Sequence, residues 1–201
     1  MSVGSSVRTI LQIIGGVAVL VALAGAVYVG FFLPGSGFSA KEDPSQLEEL
    51  IARRARALAT PAGTKEMRNP LSETGEALAA GRAHWVDHCA PCHGLDGSGQ
   101  TSIGQNLYPK APDMRAAATQ KLTDGELYSI IENGIRFTGM PAWGGTHSAE
   151  DNWQLVMLIR RLPKLSPEEL AGKLLRGILH KSDRPEYCAE YQKLMTKVQA
   201  K

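Results

Sequence analysis

Cysteine is scarce in this chain: three among 201 residues. That is too few for the disulfide scaffold on which small secreted domains rely. Charge of either sign forms no long run, and the formal net charge is only +2. A nucleic-acid surface needs clustered Lys and Arg, so no nucleic-acid partner is expected. No internal repeat or low-complexity tract occurs, which excludes a repeat architecture. The pattern offers no βαβ unit either, and so lacks the setting of a thioredoxin-like thiol pair. A closed zinc site would want a second pair of ligands, and Cys188 stands far off and alone.

Against these absences stands one dense stretch, Cys89-Ala90-Pro91-Cys92-His93. It reads Cys-x-x-Cys-His, the attachment signature of c-type haem. Two thiols about one helical turn apart point the same way and can each add across one haem vinyl group. The next residue, His93, then lies where its imidazole can bind iron. Two other readings use the same cysteines: a redox-active thiol pair, and a zinc site completed by His84 and His88. The adjacent histidine and a methionine downstream favour one covalent haem c. His84 and His88, four apart, can share a helix face, but two ligands rarely make a metal site. His147 and His180 read as surface residues, and Cys188 as a half-buried apolar residue on a helix.

The run Ile10 to Leu33 is apolar and uncharged. At about 1.5 Å per residue it spans roughly 36 Å, enough to cross a bilayer core of about 30 Å. It is longer than a signal-peptide core and continues past the small residues Ala24-Gly25-Ala26, which favours a retained anchor over a cleaved leader. The anchor is assigned to residues 1–33. Residues 34–70 read as a linker and short helix: breakers at Pro34 to Pro44, then a helix over Ser45 to Thr60 with Glu48 and Glu49 early and Arg53, Arg54 and Arg56 late. Its apolar stripe is Leu47, Leu50, Ile51 and Leu58.

Residues 71–163 form the expected central domain. A helix starting near Ser72 or Thr74 should run into His88, and a short helix should cover Met114 to Ala118. Thr123 and Glu126 make a capping box for a helix that Gly134 closes. Ser148 should cap the next, through Trp153, Val156, Met157 and Ile159. Residues 164–201 read as a helical extension. Ser166-Pro167 opens one amphipathic helix, and Tyr187, Tyr191, Leu194 and Val198 line another.

An iron held by His93 needs a ligand, or an opening, on its other face. Met140 lies in the loop Thr138-Gly139-Met140-Pro141-Ala142-Trp143-Gly144, where a methionine is not ordinary helix core. It is the favoured sixth ligand. Met114 is its rival, and Met157 reads as core.

With Cys89-Ala90-Pro91-Cys92-His93-Gly94 and Gly139-Met140-Pro141-Ala142-Trp143 in place, the segment from Leu71 to Leu162 resembles a class I c-type cytochrome. The helix from Glu126 to Gly134 and the one through Trp153 add to the likeness. The resemblance implies an all-α domain wrapping one haem, with His93 and Met140 as axial ligands. It also implies first and last helices that cross closely, Gly81 and Trp85 meeting the face from Trp153 to Ile159.

Taken together, these readings describe a membrane-anchored monohaem cytochrome c passing single electrons, not itself an enzyme. Its expected partners are membrane lipid, other subunits of a respiratory or photosynthetic redox complex, and a soluble electron donor or acceptor. Arg8 before the apolar run mildly favours a cytoplasmic N-terminus. In the resembling bacterial proteins haem is attached outside the cytoplasmic membrane. Both place the haem domain on the periplasmic side of a single-pass inner-membrane protein. Two rivals are a gas-binding sensor or small peroxidase with a labile Met140, and a mainly structural subunit.

Overall fold

The structure, a computed structural model, describes residues 3–36 and 39–166. Among these, regular structure is entirely helical, as expected, with one isolated bridge between Gly144 and His147. The readings for Pro167 onward, including Cys188, His180 and the two tail helices, lie outside the described residues. The chain forms two compact units, the first ending at Glu42 and the second beginning at Asp43.

The first unit is built on α1 (Val3–Ser36). From Ser6 to Phe31 it is long and apolar enough to cross a membrane, and every residue of that stretch is exposed.

The second unit opens with α2 (Gln46–Ala59), whose Ser45 and Glu48 form a capping box. Its apolar stripe, Leu47, Leu50, Ile51 and Leu58, is exposed. The Tyr108 hydroxyl lies 3.0 Å from Glu48, and Lys110 lies 2.7 Å from Asp43. A loop with one 3-10 turn at Thr64–Glu66 follows, and from it Asn69 donates 2.9 Å to the Trp153 carbonyl.

Helix α3 (Gly75–His84) starts on Thr74, which accepts from the Ala77 N–H. It does not run on as one α-helix. Trp85–Cys89 forms a π turn, and α4 (Ala90–His93) follows. The Ala90 N–H reaches back five residues to the Trp85 carbonyl. Pro91 has no N–H to continue the ladder, so the widened turn sits where the α register is lost. The short helix expected over 114–118 lies instead at α5 (Ala117–Gln120). Met114 and Arg115 are held elsewhere: the Met114 N–H donates to the Gly97 carbonyl at 2.7 Å, and Arg115 grips Asp113 and Asp96.

Helices α6 (Asp124–Asn133) and α7 (Ala149–Arg161) carry the capping boxes expected of Thr123 with Glu126 and of Ser148 with Asp151. Gly134 ends α6 at φ 64°, where a side chain is strained. The core packs around α7, in which Asn152 through Ile159 are all buried. Trp85, Val86, Ala90, Leu95, Leu127, Ile131 and Leu162 complete it. Helices α3 and α7 cross at Gly81, where a Cβ would stand 2.5 Å from the Gln154 carbonyl oxygen. The crossing that the resemblance implied is therefore present, and only glycine fits it. Arg160 ties α7 to α6, 2.8 Å from Asp124, and also donates to the carbonyls of Gln120 and Leu122.

Candidate haem-binding site

Cys89, Cys92 and His93 follow one another through the π turn and α4. Both thiols are free and half-buried. Burial, with Cys92 beside it, pushes the Cys89 thiol up to about 12, and burial raises Cys92 as well. A redox thiol pair works by lowering a thiol pKa, so these neutral sulfurs argue against that reading. Neutral sulfur suits a thioether.

His93 is buried, its ring centroid 5.9 Å from that of Trp85. The Trp85 indole N–H donates 3.0 Å to the Gly94 carbonyl, which pins the end of α4. Burial lowers the His93 pKa, and the Pro112 carbonyl partly opposes this. Nδ1 is buried and makes no hydrogen bond of regular geometry among the described residues. The favoured state is thus a neutral imidazole, the form that binds iron.

The carbonyls at the end of α4 are met by the segment from Gly99 to Gln105. The Gly99 N–H donates to the His93 carbonyl at 2.7 Å. The Thr101 hydroxyl reaches the carbonyls of Pro91 and Cys92, at 2.8 and 3.1 Å. Gly104 passes so close to the Cys92 carbonyl that a Cβ would collide with it.

Met140 is half-buried in its loop. The Ile135 N–H donates 3.1 Å to the Met140 carbonyl, and the Met140 N–H donates 3.1 Å to the Thr138 hydroxyl. The loop returns to α6 through Trp143 N–H to the Ile131 carbonyl and Gly144 N–H to the Glu132 carbonyl. Gly139 packs on the Leu107 side chain. The segment from Gly99 to Leu107 thus touches both the motif and the methionine loop. Met157, read as core, is buried in α7, and the rival Met114 is partly buried against the core.

The donor set fits haem c: two neutral thiols, one neutral buried imidazole and a loop thioether. Sequence reasoning missed the roles of Thr101 and Gly104, which carry no motif. It also misread His147, which is half-buried beside His84 and His88 rather than at the surface.

Residues 76–159 are a class I c-type cytochrome domain, the kind of domain that carries single electrons on covalently bound haem. They match the family described as cytochrome c oxidase, cbb3-type, subunit III. The match covers under half of the chain. A search of curated proteins finds no match. Among solved structures, a chain of the reducing HAO-like protein complex of Kuenenia stuttgartiensis is similar at 23% identity and a TM-score of 0.41. The alignment covers 46% of this chain and 46% of that one, so this chain spans about half the length of the structure it matches.

Proposed function

We propose that the chain is a membrane-anchored monohaem cytochrome c, a subunit of a membrane redox complex in respiration or photosynthesis. Cys89 and Cys92 would hold the haem by thioethers, and His93 and Met140 would ligate its iron. When bound, the haem supplies a one-electron ferric–ferrous couple. The protein's own residues fix the backbone that carries these ligands. Trp85 and the Gly99 to Gln105 segment fix α4 and with it His93, while Thr138 and Ile135 fix the backbone of Met140. Thioether ligation favours the reduced iron and raises the potential. The proposed division is an anchor at 1–33, a linker and helix at 34–70, the haem domain at 71–163 and an extension at 164–201. The long apolar α1 supports the anchor, with the haem domain on the periplasmic side of the bacterial inner membrane.

The observation that carries this reading is the Cys89-x-x-Cys92-His93 run, held on consecutive helical turns and ending in a buried His93. The test uses the full chain, produced with haem-attachment machinery and kept in detergent. Mass spectrometry of the denatured protein should find one haem per chain, and a redox titration one single-electron wave. Rapid carbon monoxide binding to the reduced protein, or peroxidase turnover, would instead support the sensor or peroxidase reading.

A further inference from the structure

His84 ends α3, His88 lies in the π turn, and His147 lies in the loop before α7. One ring nitrogen of each lies within 4.8 Å of the others. The His147 centroid is 5.0 Å from that of His84 and 4.9 Å from that of His88. Trp143 closes one side, stacked on His147 at 4.8 Å and 4.9 Å from His88.

Aromatic packing alone could gather these rings, but it leaves one observation unexplained. Buried polar atoms are nearly always hydrogen-bonded. Here Nδ1 of His84 and Nε2 of His147 are buried with no hydrogen-bond partner among the described residues. The opposite nitrogen of each ring is engaged. Nε2 of His84 lies 3.1 Å from an Asp151 carboxylate oxygen. Nδ1 of His147 lies 3.2 Å from Oδ1 of Asn152. Asn152 donates its amide to Glu132 at 2.8 Å, which turns its Oδ1 toward His147 and makes His147 Nδ1 the donor. In the neutral rings, Nδ1 of His84 and Nε2 of His147 therefore keep free lone pairs. Metal-ligating histidines are oriented in this way, with the second ring nitrogen donated to a carboxylate or other oxygen.

We propose that His84, His88 and His147 form a second metal site for one divalent transition cation, zinc or copper, with water in the remaining position. Three imidazoles without a thiolate select these ions over magnesium or calcium. With bonds of about 2.0–2.1 Å, tetrahedral ligand nitrogens stand about 3.4 Å apart. The nitrogens that lie within 4.8 Å of one another thus need to converge by at most about 1.4 Å. A bound ion would join the end of α3, the turn before Cys89 and the loop beyond Met140. None of these nitrogens is used in the haem reading.

The test uses the haem-loaded full chain in detergent, stripped with EDTA and titrated by calorimetry with Zn²⁺ and, separately, Cu²⁺. One ion should bind per chain, and Mg²⁺ should not reproduce it. Copper bound there should show imidazole nitrogen couplings in its electron paramagnetic resonance spectrum. His147→Ala should abolish binding. Asp151→Asn should weaken it by roughly 10–100-fold with the haem spectrum unchanged. If His147→Ala loses its haem spectrum, the Asp151→Asn titration decides. No saturable binding of either ion, or an affinity that Asp151→Asn leaves unchanged, overturns the proposal.

Discussion

From Cys89 to Gly99 no residue is exposed, whereas five of the seven residues from Arg136 to Ala142 are. The two sides of the candidate site are held in different ways. Packing fixes the motif side: Trp85 and Leu95 are almost fully buried, and Gly104 is pressed against the Cys92 carbonyl. Backbone hydrogen bonds fix the methionine side, where Phe137 is 93% exposed and takes a left-handed φ of 62°. A packed wall resists small changes and fails completely, while a hydrogen-bonded loop yields by degrees. The iron should therefore lose its methionine far more easily than its histidine.

The strongest way to break this contrast is Cys92→Ala. At most one thioether should survive, and mass spectrometry should find the covalent haem reduced or absent; an unchanged adduct would refute the motif assignment. Gly134→Val comes next. It places a side chain at φ 64° and a Cβ 2.6 Å from the Ala142 nitrogen. Overpacking of this kind costs about 1–3 kcal/mol. The methionine–iron band should weaken while covalent haem persists, and equal loss of both would erase the distinction between the two sides.

Thr138→Val is milder. It removes a hydroxyl that donates 2.7 Å to the Ile135 carbonyl and accepts from Met140. About 1 kcal/mol should be lost, read as a small fall in the denaturation midpoint. The smallest effect belongs to Asp113, whose carboxyl Arg115 holds below the usual carboxylate range. Because its folded pKa is lowered, its contribution is present above the unfolded pKa of about 3.9 and is lost as pH falls through the folded value. As a partly exposed pair it should contribute less than about 1 kcal/mol. Asp113→Asn should slightly flatten the acid limb of a pH–stability profile, and an unchanged limb would remove Asp113 from the account.

Much of the second unit was legible because local chemistry dictates it. Thr123 and Ser148 announce their helices as caps, charge order marks α2, Thr74 caps α3, and Gly134 ends α6. The close crossing at Gly81 came from the family likeness; no local pattern encodes it. The π turn was hidden, because it depends on where the ladder breaks ahead of Pro91. The shift of α5 was hidden for a similar reason: Met114 and Arg115 answer to Gly97 and Asp96, far back in the chain. The apolar stripe of α2 was readable, and its residues Leu47, Leu50, Ile51 and Leu58 are exposed. Periodicity reports a face without naming what covers it. At the site, the motif was readable residue by residue. His147 was not, because its neighbours His84 and His88 are about sixty residues away in sequence.

The central claim is that His93 and Met140 hold one electron-carrying iron. Visible spectroscopy and redox titration of Met140→Ala in the full chain, beside Met114→Leu, test it most directly. Met140→Ala should keep its covalent haem, lose the methionine–iron band and fall in potential, while Met114→Leu keeps both band and potential. A band and potential unchanged in Met140→Ala, or lost only in Met114→Leu, would contradict the account.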